Sequence, residues 1–166
     1  MTKIYVGENV VLKGNVSISK NCSIWHNAVI RGDSDSITIK ENTNIQDLVM
    51  IHTGFDHCPV KIGKNVTIGH SAIIHGCTIG DECLIGMGSI IMNHAVIGHH
   101  CIVGAGSLVT ENKQFPDDSL IMGSPAKLIR SLTEEEITSI STNAQLYINE
   151  AKKELKEIDY EETIFG

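Results

Sequence analysis

Eight histidines occur in the chain, and three of them, His52, His70 and His75, have neighbours and spacings that could do chemistry. The stretch from Ile68 to Cys77 reads IGHSAIIHGC, with two imidazoles five residues apart, and His52 precedes His75 by 23 positions. Imidazole nitrogens hold divalent metals or act as general bases near neutral pH. Other polar groups cluster nearby: Arg31 and Asp33 in RGD, and Asn44, Gln46 and Asp47 in NIQD. Whether any of them share a site depends on the elements that carry them.

Those elements are set by an internal repeat. Hexapeptides starting at Val6, Leu12, Ile18, Ile24 and Ile30 read VGENVV, LKGNVS, ISKNCS, IWHNAV and IRGDSD. After a three-residue slip the aliphatic lead returns at Ile39, Ile45 and Ile51. After a five-residue insertion it returns at Ile62, Ile68 and Ile74, and from Ile79 it runs unbroken through Ile85, Ile91, Ile97 and Val103 to Val109. This pattern predicts an all-β solenoid over residues 1–122, with three short parallel strands per coil and about six coils. Each lead points inward and stacks on the lead one coil away, while Gly or Asn takes the positive φ that corners need.

Counting along the repeat assigns Ile30, Ile51, Ile74, Ile91 and Val109 to one face, a, and Ile45, Ile68 and Ile85 to another, c. Residues after each lead alternate outward. Arg31, His52, His75 and Met92 therefore form an exposed column on face a, with neighbours about 4.8 Å apart, and His52 and His75 can converge on one metal. His70 falls at the corner of face c, on the column of Asp47 and beside Gln46. The five residues from His70 to His75 span up to about 16 Å, and side chains on a convex prism diverge. If His70 shares the site, it must come from a second copy of the chain.

Beyond Gly123 the pattern changes, and residues 123–166 are expected to form a GSPAK connection and a C-terminal helix. Thr133 with Glu136 makes a capping box. Ile137, Ile140, Ala144, Tyr147, Ala151, Leu155 and Ile158 mark one apolar stripe, which predicts a helix of about 25 residues packed back along the solenoid. The net charge of −7 is concentrated here, with nine acids against three lysines in residues 133–166. No basic patch suggests nucleic acid, and no apolar run is long enough to span a membrane. The opening MTKIYVGENV has no signal-peptide core, so a cytoplasmic location is expected. The five cysteines have no CxxC spacing and an odd count, which predicts free thiols. Cys22, Cys83 and Cys101 read as core filler, and His26, His94, His99 and His100 as surface. Trp25, Met87 and Met92 point outward and are expected to bury at an interface between subunits.

Taken together, RGD, NIQD, His52, IGHSAIIHGCTIG and GSPAK resemble the gamma-class carbonic anhydrases and their bacterial relatives, over nearly the whole chain. The resemblance implies a left-handed parallel β-helix that forms a homotrimer, and a zinc, iron, cobalt or other divalent site held by His52 and His75 of one chain and His70 of the next. It implies reversible hydration of carbon dioxide to bicarbonate by a metal-bound hydroxide. Gln46 would orient that hydroxide, Arg31 and Asp33 would pair across the interface, and Asn44 and Asp47 would support the surroundings. Asn143 and Tyr147, on one face of the terminal helix, would reach towards the pocket. The chain departs from the founding carbonic anhydrases in the loop after His52, which reads TGFDHCPV and lacks proton-shuttling glutamates; Asp56 and His57 are the titratable substitutes. Hexapeptide acyltransferases share the solenoid, the trimer and the GxPAK ending. Acyl transfer or thioester hydrolysis with His70 or His75 as general base is therefore the competing reading, and a catalytically silent metal-binding subunit is a third.

Overall fold

A computed structural model describes residues 2–160. The chain winds as a parallel β-solenoid of about six coils. Face a carries Met50–His52, Ile73–His75, Ile90–Ile91 and Leu108–Val109; face b carries Val60–Ile62, Thr78–Ile79, Val96–Ile97 and Gln114–Phe115. Face c carries Thr2–Val6, Ser23–Ile24, Asn44–Ile45, Thr67–Ile68, Leu84–Ile85, Ile102–Val103 and Ser119–Gly123. The leads Ile30, Ile45, Ile51, Ile68, Ile74 and Ile85 are all 0% exposed, as an inward ladder requires. Asparagines hold several of the positive-φ corners, among them Asn21, Asn42 and Asn65. Their amides stack from coil to coil, Asn21 Nδ2 donating to Asn42 Oδ1 at 3.3 Å and Asn42 Nδ2 to Asn65 Oδ1 at 3.0 Å.

The two irregularities of the repeat have separate structural answers. The slip after Ile30 is absorbed inside one long strand, Val29–Ile39, which turns the corner from face a to face b without a break. It pairs with Val11–Ile18 through a register shift between Gly14 and Val16. The insertion after His52 is a loop closed by Gly54 N donating to Cys58 O at 3.0 Å. All five cysteines are buried and free, and burial pushes the Cys22 and Cys77 thiols up to about 12.

The terminal helix, α1, spans Glu134–Glu154 and begins with the expected capping box. Glu136 N donates to Thr133 Oγ1 at 3.2 Å, and Thr133 N donates to Glu136 Oε2 at 2.9 Å. Its buried side chains are Ile140, Ala144, Ile148 and Ala151, and it packs on the face-c strands Ser23–Ile24, Asn44–Ile45 and Thr67–Ile68. The expected length of about 25 residues needs correction, because Leu155 is the extended C-cap and Ile158 lies in a strand, Lys156–Tyr160. That strand pairs antiparallel with Thr2–Val6. The first coil has no coil beneath it, so its edge backbone groups need a partner, and Ile158 and Tyr160 pack against the core there. At the other end of the solenoid the GSPAK segment is a hairpin turn between Ser119–Gly123 and Ala126–Ser131. No helix among the described residues is long and apolar enough to cross a membrane.

Ile68 is enclosed on all sides, so Ile68→Ala should lower unfolding stability by about 2–5 kcal/mol, read by urea denaturation. Arg130 grips Glu136 through two 2.8 Å bonds and the Thr133 backbone adds a third. Together these hold the Glu136 carboxyl at about 2, below its ordinary 4.5. A depressed acid stabilises the fold above its unfolded pKa and loses that effect as pH falls through the folded one. Thermal melts should therefore show an acid-dependent loss between about pH 4.5 and 2 that Glu136→Gln flattens.

Candidate functional site

Register places the chemistry on two edges of the solenoid. On face a, Arg31 pairs in register with His52 and His52 with His75, which is the column that counting predicts. The rings of His52 and His75 meet edge to face at 5.1 Å between centroids, with His52 Nδ1 3.1 Å from His75 Nε2. The far nitrogen of each ring is already engaged. His52 Nε2 stands 2.8 Å from Asp33 Oδ1, and His75 Nδ1 stands 2.5 Å from Asn93 Oδ1. A carboxylate and an amide oxygen only accept, so both far nitrogens carry the proton and donate. Arg31 also approaches His52 Nε2, at 3.4 Å, but two donors cannot bond; its partner is Asp33, 3.4 Å away. The hydrogen bond from His52, with the charge of Arg31 adding to it, holds the Asp33 carboxyl below the usual carboxylate range. Asp33 therefore stays ionised and fixes the His52 ring.

This hydrogen bonding leaves two bare imidazole lone pairs facing each other across 3.1 Å. Such a pair repels unless a proton or a cation lies between. Two ligand nitrogens about 2.05 Å from a tetrahedral zinc stand about 3.3 Å apart, so the pair fits two positions of one metal. Among the described residues, no group of three or more His, Cys, Asp or Glu side chains gathers in a single chain to hold a metal.

The second group lies at the edge of face c, under α1. His70 Nδ1 faces Asp47 Oδ2 at 3.0 Å, so its Nε2 is the nitrogen left bare. Its backbone N–H donates to Gln46 Oε1 at 3.1 Å, Gln46 Nε2 donates to Asn44 Oδ1 at 3.2 Å, and Asn44 Nδ2 donates to Thr67 Oγ1 at 2.8 Å. Asn143 of α1 closes this ladder, its Nδ2 donating to the same Thr67 oxygen at 3.1 Å. Tyr147, one turn on, meets Trp25 edge to face at 5.7 Å. Burial, then the charge of Asp47, raises its phenol, so the hydroxyl keeps its proton. Trp25 is thus partly covered by α1, whereas Met87 is 59% exposed.

The two edges open into different clefts. One, of about 360 Å³, lies between α1 and face c and is lined by Gln46, His70, Leu84, Met87, Asn143 and Tyr147 among others. The other, of about 320 Å³, lies on face a and is lined by Ile73, His75, Ile90, Met92, Asn93 and Glu111. Neither of these two clefts is lined by both His70 and His75. Sequence reasoning put His70 on the column of Asp47, but it paired Asp33 with Arg31 across the interface rather than with His52, and it missed Thr67, Glu111 and Asn93. Asn93 lies 18 residues after His75, one coil on, and the repeat arithmetic that aligned His52 with His75 could have found it.

Comparison with known proteins adds independent findings. The family described as "Bacterial transferase hexapeptide (six repeats)" matches residues 59–89 and 76–111. The chain is 39% identical over 154 residues to Gamma carbonic anhydrase 2, mitochondrial, of Arabidopsis thaliana, covering 90% of this chain and 55% of that one. It thus spans about half the length of that plant relative. It is 48% identical over 145 residues to the protein named "Probable carbonic anhydrase" of Methanocaldococcus jannaschii, covering 87% of this chain and 91% of that one. Among solved structures, the hexapeptide transferase family protein from Anaplasma phagocytophilum superposes with a TM-score of 0.80 at 42% identity, covering 92% of this chain and 93% of that one.

The ladder beneath His70 makes one prediction. Thr67 is 3% exposed and its hydroxyl oxygen receives both asparagine amides. Thr67→Val should therefore cost about 1–3 kcal/mol by stranding a donor, while Thr67→Ser stays near the parent in the same denaturation experiment.

Proposed function

The chain belongs to the gamma carbonic anhydrase family of hexapeptide-repeat proteins, and from that premise we propose that it is a metal-dependent enzyme hydrating carbon dioxide reversibly to bicarbonate. The observation that carries the reading is the pair of bare nitrogens, His52 Nδ1 and His75 Nε2, facing each other at 3.1 Å. They are two ligands, and His70 of a second copy supplies the third through Nε2. Zinc suits three imidazoles and an open position; iron and cobalt accept the same donors. A divalent ion so held is a Lewis acid that brings the pKa of water down to about 7.

The chain's own groups do the rest. Asp33 and Asp47 fix the His52 and His70 rings through their protonated nitrogens. The cleft beside His70 combines apolar walls, Leu84 and Met87, with the amides of Gln46 and Asn143, which suits a small, weakly polar substrate. Gln46 is held on both sides, by the His70 backbone and by Asn44, so its remaining N–H has a fixed direction and can orient an oxygen. Arg31 supplies positive charge for an anionic product. The hydration releases one proton, and Glu111 in the cleft beside His75, with Asp56 and His57 on the loop after His52, are the titratable groups available to take it.

The split ligand set requires at least two copies of the chain, and the homotrimer that the family resemblance implies supplies them. Face a also presents an in-register outward row of Val11, Val29, Met50, Ile73, Ile90 and Leu108. Val11, Ile73 and Ile90 are each more than a third exposed, and a second copy would cover them.

Elemental analysis of the purified protein should give about one divalent metal per chain. His52→Ala, His70→Ala and His75→Ala should each fall to background, together with carbon dioxide hydration. Refolding an equimolar mixture of His70→Ala and His75→Ala chains should restore part of the metal, because one chain supplies His52 and His75 and its neighbour supplies His70. Full metal in any single variant would remove that histidine from the set. Mixed trimers confirmed by mass but lacking metal would overturn the intersubunit arrangement. Tight coenzyme A binding by metal-free protein, without hydration activity, would favour acyl transfer, the activity that the transferase names of the matched family and structure suggest.

A further inference from the structure

His52 and His70 rest on carboxylates, but His75 rests on a neutral amide, and the surroundings of that amide are built around it. A Cβ on Gly76 would lie 2.8 Å from Asn93 Oδ1 and 2.3 Å from Cys58 Sγ; one on Gly54 would lie 3.2 Å from Asn93 Nδ2 and 2.7 Å from Cys58 Sγ. Gly76 also sits at φ +53°, where a side chain is disfavoured. The thiol of Cys58 is 1% exposed and donates to Gly76 O at 3.3 Å. Two glycines, one next to His75 and one two residues after His52, thus leave room that the Asn93 amide and the Cys58 sulfur fill.

The orientation of that amide decides a chemical matter. With Oδ1 towards His75, the ring proton sits on Nδ1 and Nε2 is bare towards His52. With the amide reversed, its N–H would face Nδ1, the proton would move to Nε2, and His75 would present a donor where a lone pair is needed. We propose that Asn93 is the positioning residue for His75, fixing it as the Nδ1–H tautomer with Nε2 free, and that Gly54, Gly76 and Cys58 form the slot that seats the Asn93 amide. A neutral acceptor does this without adding a second carboxylate beside a histidine pair that Asp33 already serves. The inference rests on the metal-centre reading for its purpose, though not for its geometry.

The test uses the full chain with Asn93→Leu, which fills the slot but cannot accept, and Asn93→Asp, which restores an acceptor. Cobalt(II) titration followed by visible absorption should show Asn93→Leu binding about 10–100-fold more weakly than the parent, with an altered ligand-field spectrum. Asn93→Asp should bind within about threefold of the parent. Long-range proton–nitrogen NMR on metal-free protein at pH 8 should report His75 as Nδ1–H in the parent and in Asn93→Asp, and as mixed or Nε2–H in Asn93→Leu. Thermal melts of the metal-free variants show whether each is folded. Cobalt affinity and His75 tautomer both unchanged in Asn93→Leu would overturn the proposal. So would an Asn93→Asp variant as weak as Asn93→Leu, which would mean that the residue acts by shape alone. If the parent itself binds no cobalt, the metal-centre reading fails and the NMR comparison alone decides the role of Asn93: a tautomer change in Asn93→Leu upholds it and an unchanged tautomer overturns it.

Discussion

Everything in this molecule depends on parallel rungs stacking in register at about 4.8 Å. That spacing lets Ile30, Ile51 and Ile74 form one dry ladder, and it also converts residues 21 and 23 positions apart in sequence into touching neighbours. Arg31, His52 and His75 meet because the leads before them meet. The same stacking carries Asp33 to His52 and Asn93 to His75, each from an adjacent coil. Core and site are therefore one object, and a slip of register by one residue would turn the histidine column inward.

Much of this could be read from the amino-acid order, for a physical reason. A six-residue period fixes which residue is inward, outward or at a corner without any long-range knowledge, so the face-a column, the separate place of His70 and the burial of Cys22, Cys83 and Cys101 follow from counting. Elements that depend on distant partners were less legible. Leu155 and Ile158 continue a helical stripe, yet Lys156–Tyr160 pairs with the exposed edge of Thr2–Val6, and nothing near residue 156 records that an edge 150 positions away needs covering. Ile148, absent from the expected stripe, is buried on the same face of α1 as Ile140 and Ala144, eight and four residues before it. Asn93 escaped notice because asparagine in this chain so often marks a corner.

The two edges of the solenoid are built to different rules. The His70 edge is a ladder of neutral side chains, Gln46, Asn44, Thr67 and Asn143, that ties the loop to the helix and sets a backbone position. At the His52 and His75 edge, Asp33 and Asn93 set tautomers, as Asp47 does for His70, and strand register already places the backbone. A histidine at a corner needs such a ladder to place its main chain, whereas its lone pair, like those of His52 and His75, needs a single acceptor behind the ring.

Holding two lone pairs face to face at 3.1 Å is unfavourable by itself, and the chain maintains it because Asp33 and Asn93 each gain a hydrogen bond from the opposite side of the rings. The ladder of isoleucines beneath keeps the backbone from relaxing, since separating the rings would require separating rungs that share an enclosed core. A cation arriving between them removes the repulsion while the outer hydrogen bonds stay in place. Preorganisation of this kind shifts the cost of arranging ligands from the binding step to folding. In the proposed assembly the third ligand comes from another copy, so a single chain offers only an incomplete, two-nitrogen site, and binding of the ion and association of subunits stabilise each other by mass action.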